Sequence, residues 1–241
     1  MDPKARIILP LDFYSLDEAS LLLGALKRRV GMLKVGYTLL IREGRSVLDR
    51  LHQMTGLPLF VDLKFHDIPR TVQQAATAAV ASSDHVRFLT VHTCDGEAIV
   101  RAAIDGVKPG VGVLGVTVLT SQSEVGGPAP GAAAGVRERV VQLAQLAKQA
   151  GCEGVFCSGH EVGAVKQALG REFLTVVPGI RPSWTELTND DQRRAMTPGE
   201  AIAAGADYLV IGRPIVKARD PVEAVERISQ EMGEALGRRL T

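Results

Sequence analysis

The chain has 241 residues, of which 46% are hydrophobic and 23% are charged, a balance typical of soluble globular proteins and unlike that of disordered chains. Its 28 basic and 27 acidic residues give a formal net charge of +1, so no nucleic-acid partner is indicated. Neither an export signal nor a run of ~18 apolar residues is recognised, so we expect a cytoplasmic protein without membrane association. Cys94, Cys152 and Cys157 lack the spacing of a disulfide framework or a zinc site, which indicates reduced thiols.

Short apolar runs alternate with longer segments of helical spacing along the whole chain. The runs span residues 6–12, 32–36, 58–64, 88–93, 112–120, 154–159, 173–180 and 208–212. Strands that alternate with helices predict a parallel sheet with crossover connections. Because a closed barrel of eight such units has about 250 residues, we predict that residues 1–241 form a single-domain (β/α)8 TIM barrel. An open doubly wound sheet is the alternative, which the absence of G-x-G-x-x-G after the first run weakens.

Two of the predicted helices carry clear end signals. The segment 15–29 begins at Ser15 with Glu18 three residues later, the capping-box pattern. The segment 135–151 has apolar residues at helical spacing and stops at Gly151. Both segments therefore fit crossover helices.

Two stretches interrupt the alternation. Residues 121–134 are rich in Gly, Pro and Ala, which predicts a flexible surface loop. Residues 181–199 are polar and too long for an ordinary connection, which predicts a functional lid. Both follow predicted strands, at the end where a barrel keeps its chemistry.

Charged residues cluster where the third predicted strand ends, in the sequence FVDLKFHDIP at 60–69. The period of two along a strand puts Asp62 and Lys64 on one face and their apolar neighbours on the other. Asp67 follows on the next loop. Charges that face the barrel axis are costly unless they are paired and used.

The first two predicted strands add Asp12 and Lys34 to the same mouth. A purely structural ion-pair cluster is one interpretation of these charges. Buried ion pairs stabilise a fold little, however, and apolar replacements often do better. The cluster is therefore better explained as an active site.

Glycine and arginine close together end the last two predicted strands. Gly179 is followed by Arg181, and Gly212 by Arg213. Freed backbone amides and guanidinium groups suit a phosphate, and barrels commonly hold one after strands seven and eight. We therefore expect a phosphorylated substrate.

Longer motifs extend this pattern in order along nearly the whole chain: LPLDF, LKVG, FVDLKFHDIP, VTVLTS, VPGIRP, DDQRRAMTP and DYLVIGRP. Together they resemble the bacterial orotidine 5'-monophosphate decarboxylase family. The resemblance implies removal of CO₂ from C6 of the orotate ring to give uridine 5'-monophosphate, a step of pyrimidine biosynthesis. It also implies a homodimer with shared active sites, no cofactor and no metal.

The resemblance assigns the catalytic residues. Lys64 corresponds to the lysine that stabilises the C6 carbanion and donates the proton. Lys34, Asp62 and Asp67 complete the alternating charged array, with Asp67 reaching in from a neighbouring subunit. His66 is expected to orient its loop rather than transfer a proton.

The resemblance also assigns the groups that bind the substrate. Asp12 corresponds to the aspartate on the ribose hydroxyls, and Thr120 to the contact with the pyrimidine. The remaining substrate-binding residues are Lys34 and Pro178, then Ile68 and Thr71 in the segment that borders the partner's site, and Arg181, Gln192, Gly212 and Arg213 at the phosphate. One departure is that the segment from Arg181 to Gln192, which contains Trp184, is longer than in the commonest bacterial form.

Two other functions fit parts of the pattern. A related sugar-phosphate barrel shares an Asp-x-Lys-x-x-Asp signature but uses Mg²⁺ to hold an enediolate. A catalytically silent nucleotide-binding barrel would need only the phosphate end. The intact Lys64 with acidic neighbours at Asp62 and Asp67 disfavours the silent barrel.

Overall fold

A computed structural model describes residues 2–81, 83–120, 135–185 and 194–240. Eight parallel strands form a closed barrel in chain order, and the first strand pairs with the eighth. The predicted TIM barrel is confirmed. The strands are Ile7–Pro10 (β1), Met32–Val35 (β2), Leu59–Phe65 (β3), Val86–His92 (β4), Gly112–Val116 (β5), Gly154–Phe156 (β6), Leu174–Val177 (β7) and Tyr208–Val210 (β8).

Helices follow the strands and cover the outside of the barrel. They are Leu16–Leu26 (α1), Tyr37–Glu43 (α2), Val47–Thr55 (α3), Pro69–Ala81 (α4), Glu97–Asp105 (α5), Val136–Ala150 (α6), Gly159–Leu169 (α7), Pro198–Ala204 (α8), Arg213–Val216 (α9) and Pro221–Leu240 (α10), after a 3₁₀ turn at Pro3–Arg6. Within the described ranges, no helix combines the length and the apolar character that a membrane crossing requires.

The predicted end signals of two helices operate in the structure. The Ser15 hydroxyl accepts a hydrogen bond from the Glu18 amide at 3.3 Å, so the cap of α1 is real. The Glu18 carboxylate accepts from the Tyr14 amide instead of the Ser15 amide, so the reciprocal half of the box is displaced by one residue. Helix α6 ends at Gly151, whose φ of 103° is left-handed.

The period of two along the strands separates two apolar cores. Alternate residues such as Ile7, Leu9 and Leu33 pack between the barrel and its helices. The intervening residues fill the barrel interior. This inner cluster consists of Ile8, Met32, Phe60, Phe88, Leu114, Val116, Phe156, Val176 and Val210. The barrel interior therefore contains a packed apolar layer, as in other barrels of this type. This layer is called the apolar floor below.

Some predicted strands are longer than the strands that the structure forms. The fifth apolar run spans residues 112–120, but β5 ends at Val116. Val118 and Thr120 stay buried beyond it because they form the wall of a cavity rather than part of the sheet. Apolar composition predicts burial here, and burial continues after the hydrogen-bonded ladder stops.

Two sequence predictions fall partly or wholly outside the described residues. The predicted surface loop at 121–134 is one of them. The centre of the predicted lid at 181–199, with the predicted phosphate ligand Gln192, is the other.

Candidate active site

Three charged side chains meet on the inner face just above the apolar floor. Asp62 of β3 is only 3% exposed, and its Oδ2 atom lies 2.9 Å from Lys64 Nζ and 3.1 Å from Lys34 Nζ. Lys34 Nζ also lies 3.8 Å from Asp12 Oδ1 at the end of β1. Acid and base thus alternate in the order Asp12, Lys34, Asp62, Lys64, and Asp62 and Lys64 share a face as the strand period predicts.

The backbone of β3 is irregular at Lys64. Register pairs Val61 with Leu89 and then Phe65 with Val91, so residues 62–64 of β3 lie opposite the single residue Thr90 of β4. Lys64 itself has a φ of 43°, the one left-handed value at a non-glycine residue within the described chain. That conformation costs roughly 1–2 kcal/mol for a residue with a Cβ. Strain of this kind gathers at functional sites, where the surroundings impose it.

Thr90 supports both members of the Asp62–Lys64 pair. Its hydroxyl oxygen accepts a hydrogen bond from the Lys64 amide at 2.9 Å and donates one to Asp62 Oδ1 at 3.0 Å. Thr90 is fully buried. The bulged backbone and the carboxylate are therefore held by one side chain of the next strand.

The charge state of Asp62 follows from its surroundings. Burial alone would raise the pKa of this carboxyl, but the charges of Lys34 and Lys64 and their hydrogen bonds act against it. The balance lowers the pKa of Asp62 below its ordinary value. The carboxylate is therefore ionised at neutral pH, between two ammonium groups.

The four side chains of Asp12, Lys34, Asp62 and Lys64 are called the charged array below. They line a cavity of about 320 Å³ at the carboxyl ends of the strands. That volume suits a small-molecule ligand. Residues predicted from the sequence that line it are Asp12, Lys34, Asp62, Lys64, Thr120, Pro178, Arg181, Gly212 and Arg213. The structure thus brings both predicted constellations, the charges and the glycine-arginine pairs, into one cavity.

The floor of this cavity is apolar and lies outside the predicted site residues. Val116, Phe156 and Val210 line it and belong to the inner core of the barrel. The Phe156 ring centroid lies 5.4 Å from Lys64 Nζ. The signal that could have found them is the same inward alternation that placed Asp62.

The opposite wall is built from the ends of β7 and β8. Gly179 has a left-handed φ of 74°, which turns the chain after β7. A Cβ atom on Gly212 would lie 2.9 Å from the Pro10 ring, so glycine lets the end of β8 approach β1. These two glycines bring Arg181 and Arg213 to the rim of the cavity.

The predicted residues Asp67, Ile68 and Thr71 lie elsewhere. They line shallow hollows on the flank of the barrel, and Ile68 is 65% exposed. The Asp67 carboxylate accepts a hydrogen bond from the Ile68 amide at 2.7 Å. Lys64 lines one of these hollows together with Asp67, but within the described part of one chain Lys64 forms its ion pair with Asp62 and not with Asp67. The catalytic role of Asp67 stays a prediction that depends on a second subunit.

His66 contacts a residue that the sequence did not connect with it. Its Nε2 atom pairs with the Asp95 carboxylate, and Cys94 Sγ lies 3.3 Å from the same carboxylate. All three side chains are exposed. The pair ties the loop after β3 to the loop after β4, which accords with an orienting role for His66.

Trp184 occupies a second hollow beside the cavity. The Arg227 guanidinium of α10 lies 4.1 Å from its ring centroid, a cation–π contact. Trp184 therefore packs the start of the 181–199 segment onto α10.

The sequence of the chain is similar to that of a known protein family. A profile of the "Orotidine 5'-phosphate decarboxylase / HUMPS family" matches residues 5–228. The chain belongs to this family. Two relatives named orotidine 5'-phosphate decarboxylase are similar over nearly their whole length. The protein of Heliobacterium modesticaldum is 43% identical over 99% of this chain and 100% of its own, and that of Anaeromyxobacter sp. strain K is 45% identical over 95% and 99%.

The decarboxylase family also supplies a similar solved structure. The crystal structure of orotidine 5'-phosphate decarboxylase from Lactobacillus acidophilus superposes with a TM-score of 0.78 at 35% sequence identity. The superposition covers 94% of this chain and 98% of the Lactobacillus acidophilus chain. The family resemblance inferred from the motifs is confirmed, while the role of each site residue stays a prediction.

Proposed function

We propose that this protein decarboxylates orotidine 5'-monophosphate to uridine 5'-monophosphate in de novo pyrimidine biosynthesis. The single observation that carries the proposal is the buried Asp62 carboxylate between Lys34 and Lys64, in the same cavity as Arg181 and Arg213. Relatives of 41–45% identity that carry this enzyme name support it. The unpaired state of all three cysteines supports a cytoplasmic location.

Lys64 performs the chemical step. The bond from C6 to the carboxylate carbon breaks, CO₂ leaves, and the electron pair stays on C6. The ammonium of Lys64 offsets this developing charge and then transfers a proton to C6, and the amine regains a proton from solvent. At ~4 Å and an effective dielectric of about 20, one such charge is worth roughly 4 kcal/mol.

The rest of the cavity holds the nucleotide. Asp12 and Lys34 suit the ribose hydroxyls, Thr120 suits the pyrimidine, and Arg181 and Arg213 suit the 5'-phosphate. Binding energy gained at the phosphate, remote from C6, can position the ring against the lysine. The substrate therefore spans the cavity from one wall to the other.

A homodimer with shared sites completes the array. Asp67 lies on a flank that also exposes large apolar side chains: Tyr37 at 53%, Ile41 at 77% and Ile68 at 65%. Exposed apolar groups around one charged loop favour a protein partner there. In the dimer, Asp67 reaches the Lys64 of the partner chain.

Mixed subunits test the shared site. Chains carrying Lys64→Ala are combined with chains carrying Asp67→Asn, each inactive alone, and the mixed dimer is isolated. Recovery of one functional site per mixed dimer is expected, because one of its two sites receives both intact residues. An isolated mixed dimer without activity would contradict the proposal.

The reaction itself is tested by ultraviolet absorbance after adding orotidine 5'-monophosphate to chelator-treated protein. Loss of the orotate absorbance, with uridine 5'-monophosphate as the product, is expected. Activity that disappears with chelation and returns with Mg²⁺ would favour the related sugar-phosphate chemistry instead. Nucleotide binding without turnover would favour the silent barrel.

A further inference from the structure

A buried ion pair lies outside the charged array. It is close to the cavity wall formed by the ends of β7 and β8, which is called the phosphate wall below. Glu161 in the first turn of α7 pairs with Arg194, which precedes α8. Their side chains are only 5% and 13% exposed. The proposed chemistry does not use this pair. Burying two charges costs desolvation free energy, so the pair calls for an explanation.

The two charges depend on each other. Among the described residues, Glu161 Oε2 and Arg194 Nη1 are buried without a hydrogen-bond partner, so the contact between the two side chains is their main compensation. Removing one member leaves the other charge unpaired in a buried site. The position of Arg194 is therefore strongly linked to Glu161.

The chain two residues after Arg194 contacts the phosphate wall. The Met196 carbonyl accepts a hydrogen bond from the Arg181 amide at 2.9 Å, and the Met196 amide donates to the Gly179 carbonyl at 3.4 Å. Met196 thereby forms a bridge beside Ile180. Gly179 and Arg181 both line the cavity.

Helix α7 also contacts Met196 directly. A Cβ atom on Gly159 would lie 2.7 Å from Met196 Sδ, so the first residue of α7 packs closely under this side chain. Two contacts, the ion pair and this packing, therefore fix the 194–196 segment on α7.

We propose that Glu161 is a positioning residue for the substrate phosphate. Through Arg194 it holds Met196, and through Met196 it holds the backbone of Gly179–Arg181 in the geometry that receives the phosphate. The inference rests on the proposed function, because it assigns the phosphate to this wall.

Glu161→Gln in the full chain tests the assignment with two ligands. Affinity is measured by calorimetry for uridine 5'-monophosphate, and by competition for uridine, which lacks the phosphate. We expect the affinity for the nucleotide to fall about tenfold, equal to ~1.4 kcal/mol, while the affinity for uridine stays at the parent value. KM for orotidine 5'-monophosphate should rise similarly, with little change in kcat.

The matched control is Glu97→Gln, which removes an exposed carboxylate paired with Arg101 on α5. Neither ligand should bind differently to this variant. A purely structural role of Glu161 would weaken both ligands alike, and that result would overturn the assignment.

Arg194→Met and the double variant complete a cycle. The double variant should bind the nucleotide no more weakly than Glu161→Gln alone, because both changes break one interaction. If Glu161→Gln lacks a cooperative thermal transition, the double variant replaces it, since it leaves no unpaired buried charge. Additive losses, or parent affinity in the double variant, would refute the inference.

The two proposals fail separately. Binding does not require turnover, so a parent chain that prefers the nucleotide over uridine but does not decarboxylate would defeat only the proposed function. Variants that keep the full preference of an active parent would defeat only the role of Glu161.

Discussion

The two walls of the cavity are built in different ways. On the side of β1–β3, charged side chains on paired strands neutralise one another within 3.8 Å, and Asp62 is almost fully buried. On the side of β7 and β8, glycines turn the backbone and two arginines stand on the connections that follow. The first wall fixes charge at one point for chemistry, whereas the second offers donors to a ligand. Changes at Lys64 in the first wall should act on kcat, and changes at Arg181 and Arg213 in the second on KM.

The largest effect is expected for Lys64→Ala on the first wall. Loss of the ammonium removes both charge stabilisation and the proton donor, so kcat should fall by at least about 10⁴-fold. Binding of uridine 5'-monophosphate, measured by calorimetry, should remain. Lys27→Ala, at an exposed position, is the control and should leave both unchanged. Turnover of Lys64→Ala near the parent rate would end the distinction between the walls.

Asp62→Asn should have the next largest effect, on stability. The variant leaves Lys34 and Lys64 facing each other without the shared carboxylate, and breaking a buried pair costs about 3–5 kcal/mol. Urea unfolding at neutral pH measures this loss. Asp84→Asn, which removes an exposed partner of Lys108, should cost less than about 1 kcal/mol. Equal losses of unfolding free energy in the two variants would show that burial does not make the Asp62 pairs more important than the exposed pair of Asp84.

The difference in stability between the parent and Asp62→Asn should change with pH in a definite direction. The pKa of Asp62 is lowered in the native protein, so its stabilising contribution is complete above the ordinary carboxyl value, ~3.9. It is lost as the pH falls through the native pKa. The stability difference between parent and Asp62→Asn should therefore shrink in acid, which urea midpoints in a pH series measure. A difference that grows towards low pH would contradict the lowered pKa.

A moderate effect on binding is expected for Arg213→Ala on the second wall. Hydrogen bonds to charged groups contribute about 1.5–3 kcal/mol, so KM should rise roughly 10–10²-fold with a smaller change in kcat. Arg219→Ala, at an exposed position on the same connection, serves as the control. A fall in kcat without a change in KM would place Arg213 with the chemical wall instead.

The smallest effect is expected for Thr90→Val. The substitution keeps the shape but removes the hydroxyl between the Lys64 amide and Asp62. We expect a loss of about 1–2 kcal/mol in stability and less than about tenfold in kcat. Urea unfolding and steady-state kinetics measure the two. A variant that equals the parent in both would show that the bulge does not depend on Thr90.

The sequence predicts the position of a side chain best where one local rule applies. The period of two was enough to place Asp62 and Lys64 together, because a strand fixes the side of each residue. The partner of Asp95 and the contact of Trp184 with Arg227 join residues distant in the chain, and no local period encodes such pairs. The left-handed backbone of Lys64 was also missed, since lysine carries no turn signal and the β4 register imposes it.

The bulge at Lys64 limits how this barrel could be redesigned. A protein engineer who replaces the lysine with another reactive group must choose one that tolerates the same main-chain angles. Asparagine and aspartate adopt them readily, whereas valine, isoleucine and threonine resist them. New chemistry at this position is therefore restricted by main-chain geometry before the reactivity of the incoming group becomes relevant.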